Sequence, residues 1–338
     1  MMRFVDFRSD TVTMPTEEMR RAMYEAELGD DVYGEDPTVR RLEELAAEMS
    51  GKQAALFTVS GTMGNQAAIA AHVTRGDELI CEQEAHIFYY EVAGIAVLSG
   101  AQARTIPGEK GILKAADIAA HIRPDDIHQP PTKLICLENT HNRGGGTCYS
   151  LEGLAEIKKL ADAHKIAVHM DGARVMNAVV ATECTLKDIA QYTDSISICL
   201  SKGLCAPVGA VIVGDADFIT RARRMRKRFG GGMRQAGVIA AAGIIALDKM
   251  VERLAEDHEL AGYFAQECLA MGVNVDLSCV QTNIVILNFD NAAAMRDALE
   301  QQGFKVSLFG PTKIRVTMHR NVGREDVEAL LLAIKGLI

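Results

Sequence analysis

Short apolar runs alternate with stretches of helical periodicity along most of this chain, and no other feature narrows its possible folds so far. Ala54-Ala-Leu-Phe-Thr-Val59, Glu78-Leu-Ile-Cys81, Lys133-Leu-Ile-Cys-Leu137, Ile166–Met170, Ser195–Leu200 and Ala210–Val213 have the length of strands. Their near-continuous apolarity is that of strands buried on both faces. Between them lie turns and amphipathic segments, such as Val39, Leu42, Leu45, Ala46 and Met49 at three-to-four spacing, closed by Gly51. This β/α rhythm predicts an α/β protein with a mostly parallel sheet. Upstream, residues 3–14 alternate apolar and polar side chains. Pro15-Thr-Glu-Glu opens a helix through about Glu27, and Gly29–Pro37 is a loop. Downstream, Ile239–Leu269 reads as a long helical region, expected to break, that leaves the large domain. Val280–Leu287, helix Ala292–Gln302, strand Thr312–Thr317 and helix Arg324–Ile334 predict a small α+β unit. The expected division is 1–250, an N-terminal arm with a large domain, and 251–338, a small C-terminal domain.

Two predicted strands end in reactive side chains. Ser195-Ile-Ser-Ile-Cys-Leu-Ser runs into Lys202 and then the turn-rich loop Gly203–Gly209. Ile166–Met170 runs into Asp171-Gly-Ala-Arg174. Ligands of open α/β sheets bind at the carboxyl ends of strands. A strand-end lysine and a strand-end acid meet the needs of pyridoxal phosphate (PLP). The lysine forms a Schiff base, and the carboxylate keeps the pyridine nitrogen protonated so that the ring accepts electrons. Ser60-Gly-Thr-Met-Gly-Asn65 is a small turn opening an alanine-rich helix, where free N–H groups and the helix dipole suit a phosphate.

Composition removes other classes. The chain has 338 residues, 48% of them hydrophobic, and a formal net charge of −9. That balance argues against nucleic acid as a partner, which needs a basic footprint. The one basic cluster, Arg221–Arg228, reads as a solvated helix face or a subunit contact. The 8 cysteines fall at irregular spacings without a C-x-x-C pair, as expected in a reducing cytosol. Arg3 and Asp6 leave no signal-peptide core, and the longest apolar stretch, Ala236–Leu247, is short of the ~20 residues that span a bilayer. A cytoplasmic protein without membrane partners is expected.

Phe7-Arg-Ser-Asp-Thr-Val-Thr13, Gly29-Asp-Asp-Val-Tyr-Gly34, Ser60–Asn65, Leu137-Glu-Asn-Thr-His-Asn142, Asp171–Arg174, Leu200-Ser-Lys-Gly-Leu204 and Gly230-Gly-Gly-Met-Arg-Gln235 together resemble the bacterial low-specificity L-threonine aldolases. The resemblance runs from about residue 3 to the C-terminus. It implies a fold-type-I PLP enzyme with the fold of aspartate aminotransferase; no metal-ligating residue is singled out, and a structural cation stays open. It also implies cleavage of threonine or allo-threonine to glycine and acetaldehyde, in a homotetramer of dimers that share active sites. By the same resemblance Lys202 is the Schiff-base lysine, Asp171 the pyridine partner, and Gly61 and Thr62 the phosphate cradle. His86 is the imidazole stacked on the ring. Ser9, Arg174 and Arg315 clamp the substrate carboxylate, which a planar guanidinium fork suits. His128, after Asp125 and Asp126, lies near the substrate hydroxyl and influences the choice of epimer. Tyr33, Lys227 and Arg234 match positions near the site or on the neighbouring subunit.

Two departures from the family pattern, Met318 at a threonine's place and Cys148-Tyr-Ser150 at an apolar-apolar-proline, are expected to affect packing alone. A hydroxymethyltransferase, a β-eliminating lyase and a non-catalytic PLP-binding regulator are the alternatives. The first is disfavoured because folate-using relatives are typically longer. The regulator is disfavoured because the chain begins at the family's first motif, without a DNA-binding segment. The preferred epimer stays open.

Overall fold

The computed structural model describes residues 4–338, so the first residue of the alternating N-terminal run lies outside it. In chain order the strands are β1 Val5–Asp6, β2 Ala54–Thr58, β3 Glu78–Glu82, β4 Gln102–Ile106, β5 Thr132–Glu138, β6 Ala167–Gly172, β7 Ser195–Cys199 and β8 Ala210–Gly214. They continue as β9 Asn274–Val275, β10 Ile284–Asn288, β11 Phe304–Lys305, β12 Ser307–Leu308 and β13 Lys313–Thr317. The helices are α1 Glu17–Glu25, α2 Pro37–Ser50, α3 Gly61–His72, α4 His86–Tyr89, α5 Ala115–Ala119, α6 Leu151–His164 and α7 Val175–Ala181. After them come α8 Leu186–Ala190, α9 Ala216–Arg228, α10 Gly237–Lys249, α11 Leu254–Ala270, α12 Ala292–Gln301 and α13 Arg324–Lys335.

Helix boundaries follow local chemistry. Asp36 accepts from Thr38 N and Val39 N in front of Pro37, and Gly51 closes α2 at φ +66°, a conformation that favours glycine. Ser60 caps α3 through Met63 N, and Ser150 caps α6 through Gly153 N. Ser150 is thus useful where the family pattern has proline. The adjacent Tyr149 is buried with its hydroxyl accepting from Leu113 N. Met318 is fully buried in the C-terminal core. Met318 and Tyr149 thus serve packing, while Ser150 serves as a helix cap.

The large sheet has the order β2-β8-β7-β6-β5-β3-β4, with β8 antiparallel to both its neighbours and the other pairs parallel. Its strands alternate between two apolar layers. Phe57, Ile80, Ile135, Val168, Ile196 and Val211 face the layer containing Leu42, Leu154 and Leu247. Leu56, Leu79, Leu134 and Ile212 face the opposite side, with α3 and α9 over part of it. A sheet covered on both faces explains why these runs read as continuously apolar.

A second, antiparallel sheet, β12-β13-β10-β9, packs on α11 and α13. Its core also takes Phe7 from the N-terminal arm, whose β1 pairs with β11. The long helical region breaks between α10 and α11, at residues 250–253. Among the described residues no helix is long and apolar enough to cross a membrane, and the eight cysteines stay free. In α9, Arg226 is buried on Asp31 and Arg223 meets Glu43, while Arg221, Arg224 and Arg228 face solvent.

Candidate active site

Because β2, β3, β5, β6 and β7 run in one direction, their carboxyl ends open on one edge of the sheet. From β2 the chain enters Ser60 and the start of α3, and from β3 it enters His86. β5 leads to Glu138 and Asn142, β6 to Asp171 and Arg174, and β7 to Lys202. A cleft of about 300 Å³ gathers Ser9, His86, Tyr90, Asn142, Arg174, Lys202, Phe309 and Arg315. Five residues singled out from sequence (Ser9, His86, Arg174, Lys202 and Arg315) therefore share one cavity.

Beneath one end of the cleft lie carboxylates. Asp171 is buried, its Oδ1 accepts from Ala173 N at 3.0 Å, and its Oδ2 has no partner. Burial first, then Glu138 and Glu91, push the Asp171 carboxyl up to about 6, against the pull of His86 and Lys202. Glu138 accepts from His86 N at 2.6 Å and from Asn142 N at 2.8 Å. Glu91 meets His86 Nδ1 at 3.0 Å.

Guanidinium groups hold the other end. Arg174 and Asp10 form a buried two-point pair, Nε to Oδ2 at 2.8 Å and Nη2 to Oδ1 at 2.7 Å. Burial alone would raise Asp10, yet Arg174, Lys202 and Arg315 hold it well below the usual carboxylate range. Arg315 donates to Asn142 Oδ1 at 2.5 Å and to Arg8 O at 2.7 Å, lies over the Phe309 ring, and leaves its Nε unpartnered. Burial, then repulsion from Arg174, bring it down to about 10. One carboxylate serves two buried arginines, so this end has room for another anion.

The remaining sequence candidates lie elsewhere. Gly61 and Thr62 are the first residues of α3, where N–H groups lack intrahelical acceptors. A Cβ on Gly61 would sit 3.9 Å from Cys199 Sγ, at the end of β7, which ties this helix start to the Lys202 loop. The Gly230–Gln235 loop runs past Met63, and its Arg234 pairs with Asp30 at 2.9 Å. Tyr33 and Lys227 are exposed in the same region. His128 stands outside the cleft within the protomer. Its side chain is 83% exposed and its Nδ1 lies 2.8 Å from Asp126 Oδ1. Sequence reasoning passed over Asp10, Glu91, Glu138, Asn142 and Asn283. Asp10, Glu138 and Asn142 stood inside quoted motifs, beside residues that were chosen.

PLP fits the residues present. The orphaned Asp171 Oδ2 is a buried acceptor waiting for an N–H, which a protonated pyridine supplies. The start of α3 suits a phosphate, and Lys202 stands between the two charged ends.

Comparison with known proteins agrees with this geometry. Residues 6–292 match the beta-eliminating lyase family. The low specificity L-threonine aldolase of Escherichia coli K12 is 45% identical over 324 residues, covering 96% of each chain. The probable low-specificity L-threonine aldolase 2 of Arabidopsis thaliana is 44% identical over 345 residues, covering 98% of this chain and 96% of that one. Among solved structures, Leishmania major threonine aldolase superposes with a TM-score of 0.86 at 21% identity, covering 98% of this chain and 99% of that one. The chain belongs to the beta-eliminating lyase family, among its low-specificity L-threonine aldolases.

Proposed function

We propose that this chain is a PLP-dependent aldolase that cleaves L-threonine, L-allo-threonine and related β-hydroxy-α-amino acids to glycine and an aldehyde. The observation that carries the reading is Lys202 set between an unpartnered buried carboxylate oxygen and an under-compensated pair of buried guanidinium groups. When bound, PLP accepts the electrons of the substrate's Cα–Cβ bond as that bond breaks. Lys202 supplies the amine that anchors the cofactor, and Asp171 Oδ2 keeps the proton on the ring nitrogen. Gly61 and Thr62 hold the phosphate through their N–H groups. Arg315 and Arg174, with Ser9, bind the substrate carboxylate and so fix which Cα bond lies across the ring. His86 borders the ring. Tyr33, Lys227 and Arg234 act on the phosphate side or in a neighbouring subunit's site. His128 reaches the substrate hydroxyl from a neighbouring subunit, since its own protomer keeps it outside the cleft.

The reading includes a cytoplasmic homotetramer of dimers with shared sites, for which exposed Met14, Tyr24, Val32 and Tyr33 offer apolar surface to bury. It also divides the chain near residue 250, at the break between α10 and α11. Steady-state kinetics on both epimers, with detection of acetaldehyde and glycine, test it. Turnover of both is expected, with borohydride fixing a pyridoxyl group on Lys202. Turnover of serine with tetrahydrofolate, but no acetaldehyde from either epimer, overturns the substrate assignment. An adduct on another lysine overturns the role of Lys202.

A further inference from the structure

Behind His86 a chain of largely buried polar groups runs between α3 and the facing side of β6 and β7, and the chemistry above makes no use of it. His72 Nε2 lies 2.7 Å from Ser195 Oγ, which lies 2.8 Å from His169 Nδ1. His169 Nε2 lies 3.3 Å from Asn65 Oδ1, and Asn65 Nδ2 donates to Glu91 Oε1 at 3.0 Å. Glu91 Oε1 is also 3.0 Å from His86 Nδ1, and Gln66 Nε2 donates to Glu91 Oε2 at 2.6 Å.

Donor and acceptor chemistry leaves one assignment for this chain. A carboxylate and an amide oxygen can only accept, so His86 carries its proton on Nδ1 and His169 on Nε2. Burial brings His169 down to about 3 and His72 down to about 4, so both are neutral at physiological pH. His169 Nδ1 then accepts from Ser195 Oγ, which in turn accepts from His72 Nε2. The donors all point towards Glu91, and hydrogen bonds aligned in this way reinforce one another.

The backbone shows how firmly Glu91 is set. Val92 (φ +52°) and Ala93 (φ +57°) follow it in the left-handed region, where a β-branched residue is rare. Strain of that kind persists where surrounding structure over-determines a position. Here three hydrogen bonds to the Glu91 carboxylate do so.

We infer that Glu91 is a positioning residue for His86: it fixes the imidazole in its Nδ1–H form and leaves Nε2 to exchange protons with the cleft. His86 Nε2 makes no hydrogen bond among the described residues, and the ring borders the cleft. The inference rests on His86 belonging to the reaction site proposed above. Burial alone would lower the proton affinity of His86, but Glu91 and then Asp171 raise it, against the opposing charge of Lys202. Glu138 faces its backbone N–H, and Tyr90 packs against its ring.

Histidine ¹⁵N NMR on the full-length holoenzyme tests this, with His86→Gln to assign the signal. The expected spectrum has His86 protonated at Nδ1 and His169 neutral and protonated at Nε2. Glu91→Gln, which keeps shape but removes charge, is expected to lower the His86 pKa by about one unit or more. Glu91→Asp is expected to restore most of that loss. An Nε2–H form of neutral His86 in wild type overturns the inference. So does a His86 pKa that stays within about 0.2 units in Glu91→Gln. If Glu91→Gln does not fold, the wild-type spectrum alone decides. Threonine cleavage measured on the same samples separates the claims. The expected NMR pattern in a protein without aldolase turnover preserves the role of Glu91 and removes the proposed reaction.

Discussion

The two ends of the cleft are mirror images in charge. At one, Asp171, Glu138 and Glu91 lie together with His86 beside Glu91 and His141 near Glu138, and an acid is pushed up to about 6. At the other, Arg174 and Arg315 share Asp10, and a guanidinium is brought down to about 10. Each end keeps a buried polar atom without a partner, Asp171 Oδ2 on the acidic side and Arg315 Nε on the basic side, which the proposed function fills with a protonated ring nitrogen and a carboxylate. Lys202 is close enough to act on both Asp10 and Asp171. The charge pattern is that expected for the proposed cofactor and substrate, with a cation at one end, an anion at the other and Lys202 between. The ends also differ in how they are stabilised. Asp10 and Arg174 satisfy each other, whereas Asp171 Oδ2 and Arg315 Nε are left without a partner.

The largest effect should come from the residue the two ends share. Lys202→Ala is expected to lose ~10⁴-fold or more in turnover, since removing a covalent catalytic group costs on that order. Activity within a hundredfold of wild type would separate the lysine from the chemistry.

Asp171→Asn sharpens the acidic end. Turnover should fall by ~10²–10³-fold, the size of a lost electrostatic partner. Meanwhile the cofactor-free protein should become more stable at pH 7 and above. The sign follows from linkage: an acid raised from 3.8 to about 6 costs stability as pH rises through that window, ~3 kcal/mol if fully expressed. Asn escapes that cost while its oxygen still accepts from Ala173 N. A melting temperature that falls in the variant would contradict the imbalance.

On the basic side, Arg174→Ala and Arg315→Ala should each lose roughly 30-fold or more in kcat/KM, as for a broken buried charge pair. Their stabilities should part company. Arg174→Ala strands Asp10 and should cost ~3–5 kcal/mol of folding stability, whereas Arg315→Ala relieves a repulsion and should cost far less. Equal melting temperatures would show that Asp10 depends on the two arginines alike.

A smaller effect concerns pH. Asp171 must be ionised to pair with a protonated ring, so PLP affinity for the cofactor-free protein should fall as pH drops through about 6. The limiting slope is about tenfold per unit. An affinity that is flat from pH 7 to 5 would remove Asp171 as the ring's partner. The smallest is expected for His128→Phe. It should change the threonine to allo-threonine ratio of kcat/KM in the assembled oligomer and leave cofactor affinity untouched. An unchanged ratio takes His128 out of the site.

Residues next to a strand end were readable, because sequence marks those places with a change of periodicity and a turn. Lys202, Asp171, Arg174 and Ser60 all sit at such a change. Glu91 does not. It follows Phe88-Tyr-Tyr90 with nothing to distinguish it from a solvated acid, and only the fold carries it to Asn65 and His86. Asp10 was hidden for another reason: its partner is Arg174, a contact with no local signature. Strand β4 was missed because Gln102-Ala-Arg-Thr-Ile106 is an edge strand, bonded on one side and too polar to read as buried. His128 shows the opposite pattern. Its pairing with a neighbouring acid was legible and Asp126 provides it, but its exposure outside the cleft of its own protomer was not.

The arm that carries Arg8 and Asp10 has a further consequence, one of timing. Arg8 O waits for Arg315, 307 residues later, and Asp10 waits for Asn283, 273 residues later. At the ~5–20 residues per second of protein synthesis, roughly 15–60 s separate the first of these groups from its partner. By the last third of that interval the nascent chain has its lysine, its acidic end and the Asp10–Arg174 pair, but not Arg315. A chain released before β13 therefore lacks one of the two buried guanidinium groups of the cleft, however well its large sheet has folded. Tight capture of cofactor and substrate together becomes a readout of completed synthesis.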